Sequence, residues 1–95
     1  MSNSKVSIII RTKNEERWIG HCLKRIHKQN YDNYEIILVD SYSEDNTVDK
    51  AERNGIDKLV KIKDYRPGFA INEGIKNASG EYIVIISAHC LPIYD

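Results

Sequence analysis

Val6-Ser7-Ile8-Ile9-Ile10-Arg11-Thr12-Lys13-Asn14-Glu15 decides how the rest of the chain is read. Its first half is short, β-branched and almost unbroken in its apolarity, the pattern of a strand buried on both faces of a parallel sheet. Its second half turns polar, and a helical spacing begins near Glu15. Trp18, Ile19, Cys22, Leu23 and Ile26 recur at helical intervals, while Arg17, Lys24, Arg25 and Lys28 lie mainly off that stripe. Thr12 or Asn14 is the expected capping side chain. Glu15 and Glu16 suit the positive end of the helix, and Lys28 suits its last turn. Trp18 opens the apolar stripe and is read as a core residue rather than a sugar-stacking platform.

The same alternation continues downstream. Glu35-Ile36-Ile37-Leu38-Val39 is a second buried strand ending at Asp40. Ser43 is the expected N-cap of a second helix running to about Asn54, with Gly55 in the terminating position and only Val48 and Ala51 on its apolar stripe. Lys58-Leu59-Val60-Lys61-Ile62 alternates and is short, which suits an outer strand. Pro67 and Gly68 open a third helix carrying Ile71, Gly74, Ile75 and Ala78, closed by Gly80. Tyr82-Ile83-Val84-Ile85-Ile86 makes a fourth apolar strand leading into Ser87-Ala88-His89-Cys90.

Strand–helix alternation throughout implies an α/β fold of Rossmann-like type. Its parallel sheet has about four strands in the order 3-2-1-4, joined by right-handed crossovers, with helices on both faces. Reversal of direction after strand three opens a crevice outside the carboxyl ends of strands one and four, the place where open α/β sheets bind ligands.

Ninety-five residues make one modest domain, which buries roughly 60–65% of the surface its unfolded chain exposes. The formal net charge is zero, so attraction to nucleic acid or membrane through bulk charge is not expected, and a local basic patch stays open. No apolar run approaches the ~20 residues of a membrane span, and no signal-peptide pattern opens the chain. The two cysteines, Cys22 and Cys90, do not form a disulfide framework. Cys22 falls on the apolar helix face, and a reducing cytoplasm is the expected compartment.

The loops after the strands are Arg11 to Glu15, Asp40 to Ser43, Asp64 to Gly68 and Ser87 to Cys90. Gathered on one edge, they offer cations, carboxylates, hydroxyls, aromatic rings and an imidazole, a mixture suited to a nucleoside diphosphate. No G-x-G-x-x-G follows strand one and no G-x-x-x-x-G-K-[ST] occurs, which disfavours a dinucleotide enzyme and excludes a P-loop NTPase. Arg, Lys or a metal ion must then offset the diphosphate charge.

Three ordered blocks carry a specific resemblance: Val6 to Glu15, Ile37-Leu38-Val39-Asp40-Ser41-Tyr42-Ser43-Glu44-Asp45-Asn46-Thr47, and Asn72-Glu73-Gly74-Ile75-Lys76-Asn77-Ala78-Ser79-Gly80-Glu81-Tyr82-Ile83. Together they resemble family 2 glycosyltransferases of GT-A fold over almost the whole chain. The resemblance implies a nucleoside-diphosphate sugar donor site and inverting transfer to a hydroxyl acceptor, in polysaccharide or glycoconjugate synthesis such as that of the cell envelope. It makes Arg11, Thr12, Lys13 and Glu15 donor contacts. Asp40 becomes the acid facing the base, and Arg66 a contact near base or phosphates. Ser87-Ala88-His89 replaces the family's Asp-x-Asp, so His89 is the implied ligand of a divalent metal, Mn²⁺ or Mg²⁺, with Ser87 facing the ribose or a bound water.

Plainer readings stand beside these. Asp40 caps a turn as readily as it contacts a base. Arg66 has Asp64 nearby for an ion pair, and Tyr42 and Tyr65 either stack on a base or cover the sheet edge. His21 and His27 have no partner in metal-ligand register and read as solvent-facing or packing residues. Residues 1–95 are read as the nucleotide-sugar-binding half of a larger domain. The saccharide or lipid-linked acceptor and the catalytic base then belong to a missing half, so no catalytic residue is assigned. The uncovered sheet edge invites self-association. The competing reading, favoured by Ser87 in place of an acid, is a non-catalytic nucleotide-binding or assembly module. The location implied is cytoplasmic, at the inner face of the membrane in a longer protein.

Overall fold

The computed structural model describes residues 4–63 and 66–87. Four strands alternate with three helices: β1 (Val6–Thr12), α1 (Glu16–His27), β2 (Tyr34–Asp40), α2 (Thr47–Asn54), β3 (Lys58–Lys61), α3 (Pro67–Lys76) and β4 (Tyr82–Ser87). The strands form one sheet in the order β3-β2-β1-β4, and every pairing is parallel. This is the expected topology, with the direction reversing between β1 and β4.

Period-two alternation sends the strand side chains to two separate cores. Ile8, Ile10, Ile36 and Leu38 pack with Ile19, Cys22, Leu23 and Ile26 of α1 and Ala51 of α2. Ile9, Ile37 and Val39 face the other way and meet Ile62 and Ala70. The central strands are therefore apolar at successive positions because both of their faces are covered. α3 comes so close to its face that a Cβ on Gly74 would lie 2.6 Å from Cγ2 of Ile9. Gly74→Ala should lower stability by about 1–3 kcal/mol through overpacking, despite alanine's better helix propensity. A urea midpoint that rises in this variant would refute the close packing.

Four local expectations are corrected. Trp18 is 42% exposed, because the buried face of α1 is centred on Ile19 and Ile26, about a quarter turn away. Neither Thr12 nor Asn14 caps α1: Glu15 occupies the N-cap and no side-chain cap bond is made. Ser43 does not open α2, which begins at Thr47 with Asn46 at the N-cap. The Ser43 side chain is committed instead to Asp40, at 2.6 Å. α3 ends at Lys76 with Asn77 at its C-cap, so Gly80 lies beyond the helix. A Cβ there would meet the Lys5 carbonyl oxygen at 2.8 Å. Gly55 does end α2, in the left-handed region at φ 97°.

At the amino ends of the strands, Glu35 is a buried junction, only 4% exposed. Its Oε2 accepts hydrogen bonds from the Ser7 hydroxyl at 2.6 Å and from the Ser79 amide and hydroxyl at 2.7 and 3.1 Å. Its Oε1 pairs with Lys58 at 3.3 Å and Lys5 at 3.7 Å. Burial pushes this carboxyl up, but bonds from Ser7, Ser79 and Lys58 outweigh it and leave the pKa at about 2. One side chain thus ties β1, β2, β3 and the approach to β4 together. Along β4 itself, Tyr82, Ile83 and Val84 are exposed.

Candidate functional site

The carboxyl ends of β1 and β2 lie in register, with Thr12 opposite Asp40 and Arg11 opposite Val39. On the other side of β1, Arg11 is opposite Ser87. The sheet therefore places Arg11, Thr12, Asp40 and Ser87 along one edge, although they are scattered in sequence.

Thr12 and Asp40 are both fully buried, and the Thr12 hydroxyl donates to Oδ1 of Asp40 at 2.7 Å. The same carboxylate accepts the Ser43 hydroxyl at 2.6 Å and the Ser43 amide, on Oδ2, at 2.8 Å. Ser43 Oγ in turn accepts the Asn14 amide, and the Asn14 side chain accepts the Glu44 amide, each at 2.8 Å. Asp40 thus fastens the turn after β1 to the turn after β2. Of its two readings, the turn-capping one is realised in these bonds.

Each turn contains a residue in the left-handed region, Asn14 at φ 55° and Tyr42 at φ 48°. Asparagine tolerates that conformation well. A tyrosine there costs about 1–2 kcal/mol and persists only where its surroundings over-determine it. Lys13 supplies part of that restraint, its ammonium donating to the Ser41 carbonyl at 2.9 Å and reaching the Tyr42 carbonyl at 3.4 Å. The Tyr42 ring is exposed, with the Lys61 ammonium 5.7 Å from its centroid, a cation–π distance.

A second clasp joins the starts of α1 and α2. The Thr47 hydroxyl accepts the Glu15 amide at 2.7 Å and donates to Asp45. Asp45 also accepts the amides of Thr47 at 3.0 Å and Glu16 at 3.2 Å. Burial raises the Asp45 carboxyl, and bonds from the Thr47 hydroxyl, the Thr47 amide and the Glu16 amide more than offset it, leaving the pKa below the ordinary value. The Glu15 and Glu16 amides at the start of α1 are therefore capped by Thr47 and Asp45 at the start of α2, and not by their own segment, as helix-end donors must be capped by something.

One polar atom in this region stays unmatched. Ser41 is 3% exposed, and its hydroxyl has no hydrogen-bond partner, although its amide donates to the Thr12 carbonyl at 3.0 Å. A buried hydroxyl without a partner, as this one is among the described residues, costs about 1–3 kcal/mol. Sequence reading missed Ser41, Ser43, Asp45 and Thr47 as site residues. Ser43 was read as a helix cap, and the other three were not singled out.

Arg66 is exposed at the N-cap of α3. Asp64, Tyr65 and His89 lie outside the described residues, as does Ala88. Among the described residues no group of three or more His, Cys, Asp or Glu side chains could hold a metal ion. The acids of this edge, Asp40 and Asp45, are already committed to hydroxyl and amide donors, so the described residues alone do not make a metal centre. His21 and His27 are exposed, and His27 bonds the Tyr34 hydroxyl at 2.7 Å and the Gly55 carbonyl at 3.0 Å.

Residues 7–95 match a family model described as glycosyl transferase family 2. The chain is 41% identical over 98 residues to a Methanococcus voltae dolichyl N-acetyl-alpha-D-glucosaminyl phosphate 3-beta-D-2,3-diacetamido-2,3-dideoxy-beta-D-glucuronosyltransferase, covering 95% of this chain and 30% of that protein. Its fold is similar to that of the mannosyltransferase PcManGT of Pyrobaculum calidifontis, solved with GDP-Man and Mn²⁺. The TM-score is 0.84 at 29% identity, over 93% of this chain and 28% of that one. Residues 1–349 of S. aureus TarS, solved with UDP-GlcNAc, give a TM-score of 0.81 at 28% identity, over 90% of this chain and 26% of that one. The chain thus spans less than a third of the length of each of these proteins.

Proposed function

The chain belongs to glycosyl transferase family 2, and from that premise we propose that it is the donor-binding portion of an enzyme that transfers a sugar from a nucleoside diphosphate to a hydroxyl acceptor with inversion. The observation that carries the reading is the fastening of the two turns through Asp40, which leaves the buried Ser41 hydroxyl unmatched beside them. Pre-positioned turns with a spare hydrogen-bonding group suit a ligand whose polar edge must be read in a fixed orientation. Two structural neighbours were solved with the nucleotide sugars GDP-Man and UDP-GlcNAc, which supports the same ligand class here.

The donor contacts proposed are Arg11, Thr12, Lys13, Glu15, Asp40, Arg66 and Ser87, joined by Ser41. Asp40 serves the nucleobase side mainly through the turns it holds. Arg11 and Lys13 offset negative charge on the diphosphate, the group on which charge grows as the sugar departs. His89 is the proposed protein ligand of a divalent cation, with Ser87 turned to the ribose or a bound water. Mn²⁺ accepts imidazole as well as oxygen, and the PcManGT structure contains it. Acceptor and general base are assigned to the rest of a longer protein acting in the cytoplasm or at the inner face of a membrane. Among the described residues no helix is long and apolar enough to cross one.

Calorimetric titration with UDP, dTDP and GDP, with and without Mn²⁺, tests this reading. One of the three should bind, more tightly with Mn²⁺, and His89→Ala should remove the metal-dependent gain. Failure of all three to bind would overturn the donor site. Binding that ignores both Mn²⁺ and the His89 change would favour a non-catalytic nucleotide-binding module, the reading that Ser87 in place of an acid supports.

A further inference from the structure

The outward face of α1 carries a feature that sugar transfer does not use. Arg17, His21, Lys24 and Lys28 follow one another at spacings of four, three and four residues, which sets them in a single row about 16 Å long. The row is diametrically opposite the buried face formed by Ile19, Cys22, Leu23 and Ile26. Residues 16–28 hold four Lys or Arg side chains against the single acid Glu16, in a chain of zero formal net charge. Basic charge is therefore in local excess along this helix.

The shape matches the charge. Glu16, Arg17, Gly20, His21 and Lys24 form one wall of an open groove of about 380 Å³, and Lys50, Arg53 and Asn54 of α2 form the other. Gly20 lowers the first wall, so α1 and α2 present a shallow trough and not a ridge. On the α2 side the cations are already paired, Lys50 with Glu16 at 3.7 Å and Arg53 with Asp49 at 3.0 Å. Arg17 and Lys24 have no carboxylate partner among the described residues, so their charge is free for an external anion. Trp18, the only tryptophan of the chain, stands 42% exposed beside this row. An exposed indole next to a basic helical row is the composition of a surface that rests in the headgroup layer of a membrane.

We propose that the outward face of α1, with the groove it shares with α2, docks on an anionic lipid surface, Arg17 and Lys24 meeting the headgroup phosphates and Trp18 entering the interface. A lipid surface fits better than a nucleic acid. The row offers few contacts, and a net-neutral chain lacks the extended positive field on which backbone binding of nucleic acid depends. A bilayer also provides the flat array of anions and the apolar layer that a straight basic row and one indole require. The inference stands on the helix face alone and does not depend on the donor site.

Co-sedimentation with vesicles tests it, using phosphatidylcholine alone and phosphatidylcholine with phosphatidylserine. The 95-residue chain should bind the mixed vesicles and not the neutral ones, with Trp18 emission shifting to the blue. Raised salt should weaken binding. The double change R17Q/K24Q should reduce partitioning about 30-fold, the equivalent of about 1 kcal/mol for each basic residue at a charged membrane surface. The control K76Q, on α3, should leave it unchanged. No binding to mixed vesicles, or binding that R17Q/K24Q does not weaken, would overturn the proposal. Binding to soluble heparin without binding to vesicles would reassign the face to a soluble polyanion and overturn it as well. Because nucleotide titration reads a different edge of the sheet, failure here leaves the donor site standing, and the reverse also holds.

Discussion

Asp40→Ala should remove measurable nucleotide binding, whereas Ser41→Ala should weaken binding and make the protein slightly more stable. The two adjacent residues differ in how their polar atoms are used. Asp40 accepts the hydroxyls of Thr12 and Ser43 and the Ser43 amide. Its loss separates the turns after β1 and β2 and leaves buried donors unpaired. Destabilisation of about 2–4 kcal/mol is expected from charge-assisted bonds of this kind. Affinity should fall at least ~100-fold, equivalent to about 2.7 kcal/mol. Ser41 bears a buried hydroxyl with no partner among the described residues, so alanine relieves a penalty of about 1 kcal/mol in the free protein. The same change removes a hydrogen bond from the complex and should weaken binding about 10-fold. Urea denaturation and calorimetry on the two variants read both quantities. Nucleotide affinity that is unchanged in Asp40→Ala, or a Ser41→Ala protein that is less stable and binds normally, would refute this assignment.

Removing Glu35 should have a comparable effect on folding, and one that depends on pH. Its folded pKa of about 2 lies below the ordinary 4.5. The stabilisation it provides is therefore complete above pH 4.5 and is lost as the pH falls through that range toward 2. The depression corresponds to about 3 kcal/mol at neutral pH, a large share of the 5–15 kcal/mol typical of a domain. Glu35→Ala should cost that much and leave the fully buried Ser7 hydroxyl without its acceptor. Glu35→Gln keeps the shape but not the charge, so it should cost less while flattening the acid limb of the stability curve. Asp45 contributes in the same direction, so the limb should shrink and not vanish. Urea midpoints of wild type and Glu35→Gln compared between pH 2 and 5 check the point, and parallel curves would show that Glu35 does not carry the linkage.

Much of the site was legible because a parallel sheet converts strand ends into neighbours. Once β1 and β4 are identified as adjacent strands, Arg11 and Ser87 must share an edge, and the two are register partners in the sheet. The clasp was not legible. Ser43 follows Asp40 closely and precedes a helix, so it reads as an N-cap; whether it caps or bonds Asp40 depends on the turn geometry. The capping of α1 by Asp45 and Thr47 joins residues about thirty apart in sequence, beyond the reach of any local rule. Trp18 failed for a related reason: it sits at the margin of the apolar stripe, and only the placement of α1 on the sheet decides which margin is covered.

The sequence by itself determined the order of elements and their parallel arrangement, because buried strands and amphipathic helices leave periodic patterns that do not depend on distant contacts; the family was carried by the resemblance of three ordered blocks. Val6 to Glu15, with its apolar run and polar turn, set the periodic pattern, and the later segments repeated it. The tertiary structure alone decided how the polar residues at the strand ends are used: Asp40 holding two turns, Lys13 bracing Tyr42, and Ser41 left with an open hydrogen bond. Periodicity comes from burial, which each segment signals in its own residues, whereas a hydrogen bond between loops depends on where two separate segments meet.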